Sequence, residues 1–369
     1  MKTTRLLFLG ILGIFSSLVN LQAQTQTGYA NANVTSFGSL AGVTTVSTSG
    51  SSFYGYQAGK FATASTANAK NSFFGASAGL NIAGGTLNTF LGFGAGVNTS
   101  SSANAYVGVS TGQYNIGTGN VAFGNSALSQ ASGATVACNY NVALGNNSGQ
   151  IATGGSNNVF VGASSGTFAN GSNNTLLGAG AGEGTSPAGG GAIGTGNVLI
   201  GYQVGRYQGL SDKLFIDNTA TSTPLIWGDF TPASRQVKLN GKVGVGTVGT
   251  FPATAGSVNV GAYRLFVTGG ILTEEVRILL TSSGGNTWAD YVFAKDYDLK
   301  PLSEVEKFIQ EKGHLPNVPS AAQIKEEGIA VSEMAKIQQE KIEELTLYII
   351  AQNKMILELS DRLTAIEKR

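Results

Sequence analysis

The chain has 369 residues, 53 of them Gly, while Asp, Glu, Lys and Arg make up only 12% and leave a net charge of +1. So weak a charge excludes an electrostatic nucleic-acid binder and gives little to hold an anionic membrane. A single Cys and a single His exclude an intramolecular disulfide and a histidine-built metal centre.

Residues 1–23 read as a secretory signal. Lys2 and Arg5 supply the positive start, Leu6 to Val19 the apolar core, and Leu21-Gln-Ala23 a cleavage site. That core is too short to span a bilayer comfortably, and no second apolar stretch follows. The expectation is a secreted protein, extracellular or at the cell surface, without membrane insertion.

Residues 24–209 repeat one phrase, Asn, three small or apolar residues, then Gly. It runs Asn71 to Gly75, Asn88 to Gly92, Asn104 to Gly108, Asn120 to Gly124 and Asn141 to Gly145. It continues as Asn158 to Gly162, Asn174 to Gly178 and Asn197 to Gly201, with a first copy at Ser51 to Gly55 and a looser one at Ser36-Phe-Gly38. Successive glycines lie 16 to 23 residues apart, from the pair Gly92 and Gly108 to the pair Gly178 and Gly201. A near-fixed period of this size signals a solenoid.

Each run has strand length and strand composition. Asn and Gly bracket it, and both tolerate positive φ at sharp corners. The remaining small residues leave room for a second short strand and two tight turns. Stacking is obligatory because one unit cannot bury its apolar side alone, and recurrent Asn would form a ladder of amides along the stack. At about 4.8 Å per coil, nine units make a segment roughly 45 Å long.

The units resemble the head repeats of trimeric autotransporter adhesins, whose phrase also ends in an apolar strand and Gly. That resemblance implies three chains, each coiled as a parallel β-roll and packed side by side. Charge agrees with a rod rather than a cleft. Between Gln24 and Gly209 only Lys60, Lys70, Glu183 and Arg206 are charged, so a glycan-cleaving pair of carboxylates finds a single candidate in Glu183. Cys138 reads as a small residue in or near a coil corner.

Residues 210–287 hold short strand-like runs with turn signals every eight to twelve residues. Asp217-Asn218, Pro224-Leu-Ile-Trp-Gly-Asp229 and Val243-Gly-Val-Gly-Thr247 resemble the shaft-to-chaperone junction of phage tail-fibre proteins. The likeness implies strands interleaved among three chains.

In 288–330, Ser303 with Glu306 reads as a capping box opening a helix to about Lys312, which Gly313 ends. His314 follows in a packed or hydrogen-bonded loop, and Ser320 opens a second helix to about Glu327. This block resembles the C-terminal chaperone domain of endosialidase and tail-fibre proteins, peptidase family S74. Members cut themselves with a Ser in a Ser-Asp-x-x-x-Lys phrase, but the matching stretch here is Lys295-Asp296-Tyr-Asp-Leu-Lys300. Without the hydroxyl there is nothing to acylate, so no self-cleavage is expected. The pairs Glu326/Glu327 and Glu343/Glu344 read as solvated helix faces.

Residues 331–369 show heptads. Ala335, Ile342, Ile349, Ile356 and Leu363 fall on one line, and Gln338, Leu345, Gln352, Leu359 and Ile366 on the other. Heptad chemistry alone leaves dimer and trimer open, and the two resemblances imply three chains.

The expected fold is mainly β: parallel β-solenoid (β-roll) repeats over 24–209, an interleaved β-module over 210–287, a small α/β chaperone-like domain over 288–330, and a trimeric coiled coil over 331–369. The expected function is a homotrimeric surface adhesin or extracellular filament subunit, with itself and a cell-surface or glycan receptor as partners. No catalytic, cofactor-binding or metal-ligating residue is assigned. Rows of Ser and Thr such as Thr99 to Ser102 keep a glycan-binding or ice-binding solenoid as the alternative.

Overall fold

The structure is a computed structural model that describes residues 34–42, 50–63, 69–132, 137–151, 154–185, 191–278 and 288–368. The signal expected at 1–23 lies outside them. The chain divides into two compact units, Met1–Gly241 and Lys242–Arg369.

The first unit is a parallel β-solenoid. Its strands are β1 (Thr35–Phe37), β2 (Ser52–Tyr54), β3 (Ser72–Phe74), β4 (Thr89–Leu91), β5 (Ala105–Val107) and β6 (Val121–Phe123). Next come β7 (Val142–Leu144), β8 (Val159–Val161), β9 (Thr175–Leu177), β10 (Val198–Ile200) and β11 (Lys213–Ile216). Each pairs in parallel with the next, in strict sequence order and without a register slip. The looser copy at Ser36 joins as β1.

The central residue of every strand points inward. Phe53, Phe73, Phe90 and Tyr106 are fully buried and stack ring on ring at 5.2, 4.9 and 5.0 Å. Burying each such side chain is worth about 1.5–3 kcal/mol. At β6 and β7 the central residues shrink to Ala122 and Ala143, and Leu128 fills the space. Leu128 stands where other coils carry a corner Gly such as Gly112 (φ 63°), whose Cβ would strike the Tyr106 ring. Small strand residue and large corner residue have exchanged places at constant volume.

The asparagines form the expected ladder. The backbone N–H of Asn88, Asn104, Asn120, Asn141, Asn158, Asn174 and Asn197 donates to the Oδ1 of the preceding Asn, starting at Asn71, at 2.8–3.0 Å. Lys213 closes the series on Asn197, and Ser51 begins it by accepting from Asn71. Each Nδ2 also satisfies a neighbour, as Asn120 does with the Cys138 carbonyl at 2.8 Å. The strand-ending glycines Gly75, Gly92, Gly108, Gly124, Gly145, Gly162, Gly178 and Gly201 lie directly on one another. At Gly108 (φ 133°) a Cβ would collide with the Gly124 carbonyl of the next coil.

Two local expectations change. Positive φ falls on the residue before each Asn, as at Leu87 (61°), Ala103 (59°) and Tyr140 (54°), and not on the Asn itself, which serves the corner through its side-chain amide. Among the described residues no second strand column forms. The rest of each coil is turns laced coil to coil by backbone hydrogen bonds such as Gly112 N to Ala127 O at 2.8 Å, with one bridge at Thr63 and Ala83. Turns replace the strand because each coil turns sharply at several left-handed residues.

Beyond residue 209 the pairing continues. β11 meets β12 (Ile226–Asp229) antiparallel, and β12 meets β13 (Gln236–Leu239) likewise. Asp217 closes the first of these hairpins by accepting from Leu225 N at 2.7 Å and Thr219 Oγ1 at 2.9 Å, and these bonds hold its carboxyl below the ordinary range.

The second unit carries β14 (Val243–Val245), paired in parallel with β17 (Leu265–Val267), and a hairpin of β15 (Thr254–Ala255) and β16 (Val258–Asn259). A 3-10 turn (Ala289–Phe293) and helices α1 (Leu302–Lys312), α2 (Ala321–Glu327) and α3 (Val331–Glu367) follow. The Ser303 capping box does not form. Pro301 is the N-cap, its fixed φ of −57° already suiting the start of a helix, so α1 begins before Ser303 can cap it. Gly313 ends α1 at φ 75° as expected, and Ser320 with Gln323 makes a true capping box on α2.

Candidate self-association surfaces

α3 is a 37-residue helix that buries the side a lone globular helix would expose. Glu340 and Glu343 are 7% and 5% exposed, whereas Ile342, Leu345, Ile349, Ile356, Leu359, Leu363 and Ile366 are 56–69% exposed. Residues 351–368 are exposed on every side. Helices in proteins draw most of their stability from packing an amphipathic face, and among the described residues this stretch packs against nothing in its own chain.

The buried side faces the 3-10 turn. Tyr291 Oη donates to Glu340 Oε2, Tyr297 Oη to Glu344 Oε1 at 2.5 Å, and Asn317 Nδ2 to Glu340 Oε1 at 3.3 Å. Lys341 Nζ bridges Glu340 and Glu344 at 2.9 and 2.8 Å, and Gln339 Nε2 donates to Glu343 Oε1 at 2.9 Å. Burial opposes ionisation of Glu340, but Tyr291, Lys341 and Asn317 outweigh it and hold the carboxyl below the usual glutamate value. The same bond to Glu340, then burial, pushes the Tyr291 phenol up to about 12.

The Glu343/Glu344 pair is therefore not a solvated face. Helical spacing puts Glu340, Glu343 and Glu344 opposite the heptad lines, where two phenols supply the donors. Of the other pair, Glu326 is exposed, while Glu327 accepts from Ser257 Oγ.

The solenoid carries a second unpartnered surface, which the repeat phrase alone does not single out. The third residue of each strand points outward, and in every coil it is large and apolar. Phe37, Phe74, Leu91, Phe123, Leu144 and Leu177 are 38–50% exposed, and Tyr54, Val107, Val161, Ile200 and Ile216 are half-buried among them. Tyr54 and Phe74 stack at 4.7 Å on this outer face. The signal was present in the sequence, since a strand with one wet face alternates while Val121-Ala-Phe123 and Val198-Leu-Ile200 are apolar throughout. Such a stripe exceeds the scattered apolar residues of ordinary surfaces.

Other candidates fall into place as scaffold. Thr99 and Ser101, weighed as ligand-facing, are buried. Glu183 is paired with Arg206 at 2.8 Å. His314 Nδ1 lies 3.0 Å from the Leu315 carbonyl, with its ring edge-on to Phe308. Cys138 is buried, its Sγ taking contacts from Gln130 Nε2 at 2.8 Å and Gly154 N at 3.3 Å, and burial pushes its thiol up. Lys300 offers its carbonyl to Tyr348 Oη at 2.5 Å. Among the described residues no helix is long and apolar enough to cross a membrane. No protein-family model, curated protein or solved structure matches the chain, and the likeness to adhesin heads and to tail-fibre chaperone domains remains one of motifs.

Proposed function

We propose that the chain is the subunit of a secreted homotrimeric fibre, a surface adhesin or extracellular filament without enzymatic activity, whose copies join through α3. One observation carries this reading. α3 turns two glutamates inward and seven heptad Ile and Leu side chains outward, an arrangement that makes energetic sense only when another helix covers the seam. Three chains follow from the motif resemblances, and the outer stripe of the solenoid supports lateral packing of the copies. At about 80 Å² from each of the six half-exposed side chains and roughly half that from the other five, the stripe offers on the order of 700 Å² per copy, close to the area of a standard interface.

Light scattering on the purified protein tests it. The wild type is expected at three chain masses, and Ile349→Asp with Ile356→Asp at one, with secondary structure retained by circular dichroism. A wild type that stays at one chain mass across the micromolar range refutes the proposal.

A further inference from the structure

α3 carries an apolar side chain that its two heptad lines do not account for. With Ile342 as position a, Leu345 is d, Lys341 and Tyr348 are g, Glu344 is c, Thr346 is e and Ile350 is b. Position b stands outside the seam. Glu343, on the same line one heptad earlier, is covered by its own chain at 5% exposure. Ile350 lies beyond that cover and is 45% exposed.

On the other flank, the g and c side, α3 borders an apolar recess of about 310 Å³. Leu302 and Val305 of α1, Leu315, and Leu345 and Tyr348 of α3 line it. Tyr348 Oη donates to the Lys300 carbonyl at 2.5 Å, which ties the segment leading into α1 to the helix. The recess is formed, yet Leu302, Leu315 and Leu345 in its wall are 47, 41 and 56% exposed. Leu345 is itself a d residue, so the recess opens beside the seam.

In a ring of parallel helices the g flank of each copy meets the e flank of the next, and b lies behind e on that flank. Helical side chains lean toward the N-terminus, so Ile350 covers the turn below it, level with Leu345 and Tyr348. Among the e and b residues near that level, Thr346, Ile350 and Asn353, only Ile350 is large and apolar. Leu357, the next apolar b residue, stands about two turns higher, above the recess.

We infer that Ile350 of one copy fills the recess between α1 and α3 of the next. This rests on the self-association through α3 proposed above, and it adds a contact outside the a and d layers. Each copy then gives one Ile and receives one, as a closed ring requires.

The test uses the full chain in a Cys138→Ser background, with two differently tagged forms co-expressed, one carrying Ile350→Cys and the other Leu302→Cys. Occupancy of the recess predicts a disulfide between the two tags on a non-reducing denaturing gel. The control replaces Ile350→Cys with Lys354→Cys, exposed at position f and directed away from the seam, and should give less product. An oligomer of normal mass with no inter-tag product above the control overturns the assignment. So does a chain carrying both cysteines that closes its disulfide internally. If light scattering finds single chains, the self-association reading itself fails, and the assignment with it. Ile350→Ala gives an independent check, because it leaves every a and d side chain in place. The concentration at which the oligomer half-dissociates should rise roughly tenfold, against about twofold or less for Lys354→Ala. Equal midpoints for the two variants overturn the assignment.

Discussion

Asn120 shows what one amide does in this fold. Its Oδ1 accepts from Asn141 N at 2.9 Å, and its Nδ2 donates to the Cys138 carbonyl and to Asn104 Oδ1, with the side chain fully buried. Asn120→Ala strands a buried N–H and a buried carbonyl at about 1–3 kcal/mol each. Urea denaturation is expected to show a loss of about 2–5 kcal/mol, whereas an outward residue such as Thr89→Ala should stay within about 0.5 kcal/mol. A loss below about 1 kcal/mol for Asn120→Ala would mean the ladder is incidental. The Asn and Gly positions were legible because each repeats at one place in the coil. The Leu128 exchange was not, since it breaks the period and makes sense only once Ala122 and Ala143 are known to stand beside it.

At the level of elements, the contact between α3 and the 3-10 turn should depend on pH at both ends. The Glu340 carboxyl sits below its unfolded value near 4.3, so its contribution is present above that pH and fades as pH falls through the folded value. The Tyr291 phenol is raised from 10.0 to about 12, so the contact is intact below pH 10 and weakens as pH rises from 10 toward 12. Hydrogen exchange of Ala289 to Phe293 is expected to be slowest between about pH 5 and 10 after correction for intrinsic rates. Glu340→Gln should remove the acid limb. Acid sensitivity that survives this substitution would place the cause elsewhere. The helices themselves were largely legible, α2 from Ser320 and α3 from its heptads, while the Gln323 half of the α2 capping box emerged only in the structure. What composition could not reveal was which side of α3 its own chain covers, because that depends on Tyr291 and Tyr297, 49 and 47 residues away in sequence from the glutamates they hold.

For the whole molecule, the solenoid stripe and the α3 seam make separable demands. Leu91→Lys, Phe123→Lys and Leu144→Lys alter side chains that face outward, so each coil should keep its fold. Negative-stain images of the wild type are expected to show the solenoids merged in one rod, and the triple variant should show separate arms still joined through α3. Merged rods in the variant would mean that the stripe is not an interface.

The coil-to-coil bonds also set how such a molecule yields to tension. Each coil grips only its two neighbours, so a pull along the stack concentrates on the last coil and detaches it before the next feels the load. Every detachment frees one repeat, 16 to 23 residues, or roughly 55–80 Å of slack. The stack would give way like a zip fastener, tooth by tooth, lengthening a tether under strain instead of snapping it.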